Sequence, residues 1–177
     1  MIDRDTAHPE YEFKTLEEIA KAQGITPVDL FIRIVKDGGA SVIGKSMVEE
    51  DIRRFYTQPW VMVASDGGIG LRHPRSAGTF PRVLGKFVRE QHWLSLEDAI
   101  RKMTSAPAAR LTLRDRGKIA PGMIADLVLF DPAAIVDRAT FQEPFLLATG
   151  IKRVFVAGVP VWDAGKETGA RPGRSIR

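Results

Sequence analysis

Trp60-Val61-Met62-Val63-Ala64-Ser65-Asp66-Gly67-Gly68 is the stretch that decides the fold. Its first five residues are apolar without a break, so they offer no polar face to water. A strand of that kind is covered by helices on both sides, as in a parallel sheet. Helical patterns flank it. Ser46 with Glu49 forms a capping box that opens a helix to about Tyr56. Thr79 heads a second pattern with Val83, Leu84, Phe87 and Val88 on one face. Ser95 with Asp98 heads a third, ending near Met103, and Ser105 a short fourth through Arg110. Helix, buried strand, loop, helix is the grammar of an α/β sheet or barrel.

Upstream, Thr15 with Glu18 is another capping box, and Thr26-Pro27 starts a helix carrying Leu30, Phe31, Ile34 and Val35 before Gly38-Gly39. Residues 40–43 make a second short strand. Downstream the period changes near Leu111. Lys118-Ile119 and residues 125–130 read as strands broken at Pro121-Gly122, and residues 152–157 and 159–162 as a hairpin around Gly158. The organisation expected is therefore a helical α/β part over residues 1–110 and a small β part over residues 111–177.

Composition narrows the function classes. The 177 residues are 44% hydrophobic and 27% charged, which suits a packed domain. The net charge of +4 is spread among acids, and only the ending from Arg171 to Arg177 is locally basic. No nucleic-acid reader motif accompanies it, so nucleic acid is not expected as a partner. The absence of Cys excludes disulfides and thiolate metal sites. No apolar run approaches the roughly 20 residues of a membrane span, and the first ten residues have no signal-peptide core, so a cytoplasmic location is expected.

Chemistry concentrates after the apolar run. Asp66 stands where a barrel strand ends, which is where barrel enzymes keep their reactive groups. The competing reading is a turn cap, because Asp-Gly is a common turn dipeptide. His73 and Arg75 follow in the same loop. Arg75 is a planar donor suited to a substrate carboxylate, and equally an ordinary loop residue.

Ser65-Asp66-Gly67, His73-Pro74-Arg75 and Gly78-Thr79-Phe80-Pro81-Arg82-Val83-Leu84-Gly85 together resemble the last barrel strand and substrate loop of the N-acyl-D-amino-acid deacylases, within the amidohydrolases. Gly117-Lys118-Ile119-Ala120-Pro121-Gly122 with Ala125-Asp126-Leu127-Val128 resembles the amidohydrolase tail, and Val154-Phe155-Val156-Ala157-Gly158, Thr168-Gly169 and Arg171-Pro172-Gly173-Arg174 resemble the deacylase ending. The resemblance implies the C-terminal part of a (β/α)8 metal-dependent hydrolase barrel followed by a small β-sandwich segment. It implies zinc, whose bound water attacks the amide of a small N-acyl-D-amino acid. Asp66 is then the general base and acid, and Arg75 binds the substrate carboxylate; His73 is loop architecture.

The chain departs from that family in length, since a (β/α)8 barrel typically needs ~250 residues against about 110 in the α/β part here, and in its metal site. The family's metal site needs a His-x-His pair, further histidines and a bridging Cys or carboxylated Lys, whereas His8, His73 and His92 are the three histidines here and none is so paired. Zinc ligands are thus expected to be missing from this chain. The 177 residues alone are expected to be inactive, through a shortened gene or through an upstream part on another polypeptide. Self-association, or a partner supplying the missing barrel half, is expected. A cyclic-amide hydrolase and a non-catalytic assembly subunit are the alternatives.

Overall fold

Three of the helices begin where a hydroxyl accepts an orphan N–H. In the computed structural model, which describes residues 1–176, the chain forms two units, Met1–Val48 and Glu49–Arg177. In the first, Thr15 caps α1 (Leu16–Gln23) with the full reciprocal box to Glu18, and Gly24 closes it in the left-handed conformation at φ 69°. Thr26 caps α2 (Pro27–Lys36), with Pro27 in its first turn. Leu30 and Ile34 of α2 pack with Ile2, Tyr11, Ile19 and Ala20 in a core of their own. Residues 40–43 hold a two-residue strand, β2 (Ser41–Val42), paired antiparallel to β1 (Ile2–Arg4). The other side of α2 presents Val28, Phe31, Ile32 and Val35, each at least 45% exposed. Spacing of three and four residues aligns them in one apolar stripe.

The second unit contains α3 (Glu49–Tyr56), α4 (Arg75–Arg82), a π-helical continuation over Val83–Glu90, α5 (Leu96–Met103) and α6 (Ser105–Arg110). Four antiparallel strands follow in the order β3 (Leu127–Phe130), β4 (Ile151–Val156), β5 (Val159–Asp163), β6 (Lys166–Glu167). The hairpin turn at Ala157-Gly158 has both residues at positive φ, 50° and 80°, which suits the twist of the strands. Val63, Val83, Leu84, Phe87, Leu94, Ala99 and Ile135 form the core, with Phe87 stacked on Trp93 at 4.5 Å. No helix among the described residues is long and apolar enough to cross a membrane.

Three sequence expectations are corrected. Residues 60–64 do not form a strand: only Val63 is buried, and Trp60 is 69% exposed. A strand exists as a ladder with a neighbour, and among the described residues none pairs with this segment. Lys118-Ile119 is likewise irregular, with Ile119 91% exposed. Thr79 lies within α4, which starts at Arg75, so its hydroxyl donates to the Arg75 carbonyl at 2.9 Å instead of capping. Pro81, buried inside this helix, brings no N–H to its ladder, and the helix widens to the π form just beyond it.

What holds residues 58–63 is a lysine. Lys102 of α5 is fully buried, and its ammonium donates to the carbonyls of Gln58 and Val61, the latter at 3.1 Å. Its own carbonyl accepts the Val63 N–H at 3.1 Å. Burial pushes the Lys102 amine below the usual lysine range, with Asp98 opposing at 3.8 Å. Lys102→Ala should destabilise the unit by about 3 kcal/mol in urea denaturation, since it strands two carbonyls and leaves a void. The sign with pH follows from the lowered value. The folded state releases this proton before the unfolded state does, so stability relative to Lys102→Ala should rise through the alkaline range towards pH 10.5.

Candidate functional site

The loop between Val63 and α4 doubles back on itself, and a glycine makes that closure feasible. A methyl on Gly67 would stand 2.8 Å from the Cα of Ser76, so only glycine lets the two ends of the loop touch. The Gly67 N–H donates to Ser65 Oγ at 3.1 Å. Asp66 adopts φ 49°, the left-handed region that aspartate tolerates better than most residues. The far end of the loop is built from short bonds: Leu71 N–H to Gly68 O at 3.2 Å, His73 N–H to Leu71 O at 2.9 Å, and Ser76 N–H to His73 O at 3.1 Å.

This closure brings two of the sequence-predicted residues together. Arg75 Nη2 lies 3.1 Å from Asp66 Oδ2, nine residues apart in the chain. The Arg75 Nε is buried and has no hydrogen-bond partner within the protein. His73 serves as architecture: its Nδ1 accepts the Arg75 N–H at 3.1 Å at the start of α4, and its ring meets Phe141 edge-on at 5.3 Å.

The setting differs from a barrel rim. The Asp66 side chain is 82% exposed and that of Arg75 39%. A cavity of about 460 Å³ lies elsewhere, between α4 and the sheet, lined by Ala77, Pro81, Leu147, Ile151 and Trp162 among others. Neither Asp66 nor Arg75 lines it. Among the described residues no cluster of three or more His, Asp or Glu is arranged to hold a metal ion. Sequence reading missed Lys102 and Asp137, whose partners are set by tertiary packing; the only signal bore on the partners of Asp137, in the seven-residue spacing of Gly78 with Gly85 and of Arg82 with Arg89.

The sequence profile of the amidohydrolase family matches residues 2–162. The chain belongs to the amidohydrolase family. It is 40% identical over 170 residues to a D-aminoacylase of Alcaligenes xylosoxydans xylosoxydans, covering 95% of this chain and 34% of the relative. An N-acyl-D-glutamate deacylase of the same organism is 41% identical over 178 residues, covering 99% and 36%. The crystal structure of N-acyl-D-glutamate deacylase from Bordetella bronchiseptica superposes with a TM-score of 0.86 at 38% identity, covering 99% of this chain and 37% of that one. That enzyme holds zinc and a phosphonate inhibitor that mimics the tetrahedral intermediate. This amidohydrolase chain, of mixed helix and strand, thus spans about a third of the length of its curated relatives. Its described residues hold no ligand set for a zinc such as the Bordetella structure contains.

Gly67→Ala should cost about 1–3 kcal/mol in chemical denaturation, the range for forcing a methyl into a closed contact. NMR of the same variant should show the Asp66–Arg75 pair lost, because the backbone, not the exposed ion pair, closes the loop.

Proposed function

We propose that this chain carries the proton-transfer and carboxylate-binding side of a deacylase that hydrolyses N-acyl-D-amino acids to a carboxylate and a D-amino acid. The observation that carries the reading is the 3.1 Å pairing of Asp66 with Arg75, two residues that an N-acyl-D-amino-acid site requires in two roles. The naming of the relatives as deacylases of D-amino acids supports it.

In this reading Arg75 receives the substrate α-carboxylate through charge-assisted hydrogen bonds from its guanidinium, including the Nη2 now facing Asp66. The exchange of one carboxylate for another releases Asp66. The freed carboxylate takes a proton from the attacking water and delivers it to the leaving nitrogen, base and then acid. No metal step is assigned to these residues, since none of them forms a ligand set. Residues 1–110 then belong to a (β/α)8 barrel and residues 111–177 to its accompanying β-sandwich. The open setting of Asp66 and the unpaired segment 60–64 fit walls contributed by further polypeptide. The apolar stripe Val28, Phe31, Ile32 and Val35 supports self-association or such a partner.

A second reading, a non-catalytic assembly subunit, is favoured by the lack of a metal cluster among the described residues. One experiment checks the inactivity of the isolated chain, and a second separates the two readings. With zinc added, the 177-residue chain should hydrolyse N-acetyl-D-amino acids no faster than its Asp66→Ala variant. A chimera in which this chain replaces the matching third of the Alcaligenes N-acyl-D-glutamate deacylase should be active. In it, Asp66→Asn should lower kcat roughly 10²- to 10⁴-fold, and Arg75→Gln should raise KM roughly 10- to 100-fold. A folded chimera indifferent to both substitutions would overturn the deacylase reading and leave the subunit reading.

A further inference from the structure

The helix that begins with Arg75 is gripped along one side by a segment more than fifty residues downstream. Gly78, Arg82, Gly85 and Arg89 recur at spacings of four, three and four, so they lie in one row. Every member of the row meets the stretch between Pro132 and Asp137. A methyl on Gly78 would stand 2.1 Å from Asp137 Oδ1, and one on Gly85 2.7 Å from the Ile135 carbonyl. Arg82 Nε donates to Asp137 Oδ2 at 2.9 Å, and Arg89 Nη1 to the carbonyls of Ile135 and Pro132 at 2.6 and 3.2 Å.

We propose that Asp137 is a positioning residue for the Arg75 guanidinium, pinning the rotation and height of α4 through Gly78 and Arg82. Three features make it suited to this. Its side chain is only 6% exposed, so its position is determined by packing. Its Oδ1 also accepts the Ala139 N–H at 3.0 Å, which ties the carboxylate to its own backbone and leaves it little freedom. Finally, the partners lie one and two helical turns beyond Arg75, on the helix whose first residue is that arginine. A buried anion with both oxygens engaged cannot be moved without breaking one of these bonds, so the helix cannot turn freely about its axis. Arg75 itself is anchored by the His73 Nδ1 contact at its N–H. The combination fixes where the Arg75 side chain leaves the helix, from which its guanidinium reaches Asp66 in this structure.

The inference rests on the carboxylate-binding reading of Arg75, and its test separates the two. The 177-residue chain, isotopically labelled, is titrated with N-acetyl-D-leucine while the Arg75 Nε–H signal reports binding. Arg75→Gln should abolish binding. Asp137→Asn should weaken it about tenfold, the size of one charge-assisted hydrogen bond. Gly78→Ala should do the same by displacing the carboxylate, and it decides the matter if Asp137→Asn fails to fold. Arg153→Gln, which breaks the 2.7 Å pair with Asp163 in the sheet, should leave affinity unchanged, separating positioning from general loss of stability. Unaltered affinity in the folded Asp137 or Gly78 variant would overturn the positioning role and leave Arg75 as the anion ligand. Failure of the unsubstituted chain to bind would overturn both.

Discussion

A missing methyl group at residue 67 is what allows Asp66 and Arg75 to meet. The loop returns so closely that the backbone of Ser76 occupies the space where a Gly67 side chain would be. The ion pair between Asp66 and Arg75 is a consequence of that closure and not its cause. Pairs so exposed contribute about 0–1 kcal/mol, too little to hold nine residues of chain in one conformation. Weakness suits the proposed role, because a contact of that size is readily exchanged for a substrate carboxylate. The work of holding the geometry is passed to backbone hydrogen bonds in the loop, to the His73 Nδ1 contact, and to two clamps further away.

Those clamps have different chemistry. Lys102 acts on the segment before Asp66 by donating to carbonyls that a strand would have given to its neighbours. Asp137 acts on the helix after the loop by accepting from Arg82 and excluding any side chain at Gly78. One is a buried cation serving backbone acceptors, the other a buried anion serving an arginine and an N–H. In each case the charge is tolerated because its hydrogen-bonding capacity is engaged. Between them they hold both ends of a loop that otherwise has little core of its own.

Much of the local structure was legible in the sequence because it depends on residues three or four apart. The Thr15–Glu18 box, the Thr26 and Ser95 caps and the hairpin at Gly158 all appear where those residues stand. What failed depended on distant neighbours or on where a helix starts: Ser46 does not open a helix, since α3 begins at Glu49. The apolar run 60–64 has the composition of a buried strand, yet composition supplies neither a ladder nor covering layers. Thr79 has the chemistry of a cap, but the turn at His73 had already started the helix four residues earlier. The proximity of Asp66 to Arg75 was implied by family resemblance alone. Lys102 and Asp137 were not singled out, since a single lysine or aspartate carries no periodic signal.

The proposed division of labour has Arg75 recognising a carboxylate and Asp66 moving a proton. It is tested most directly by comparing kcat/KM for N-acetyl-D-leucine and for the matching N-acetyl amine lacking the carboxylate, in the chimera carrying this chain. The account predicts that Arg75→Gln erases the preference for the carboxylate-bearing compound while sparing the neutral one, and that Asp66→Asn slows both alike. A preference that survives Arg75→Gln intact would contradict it.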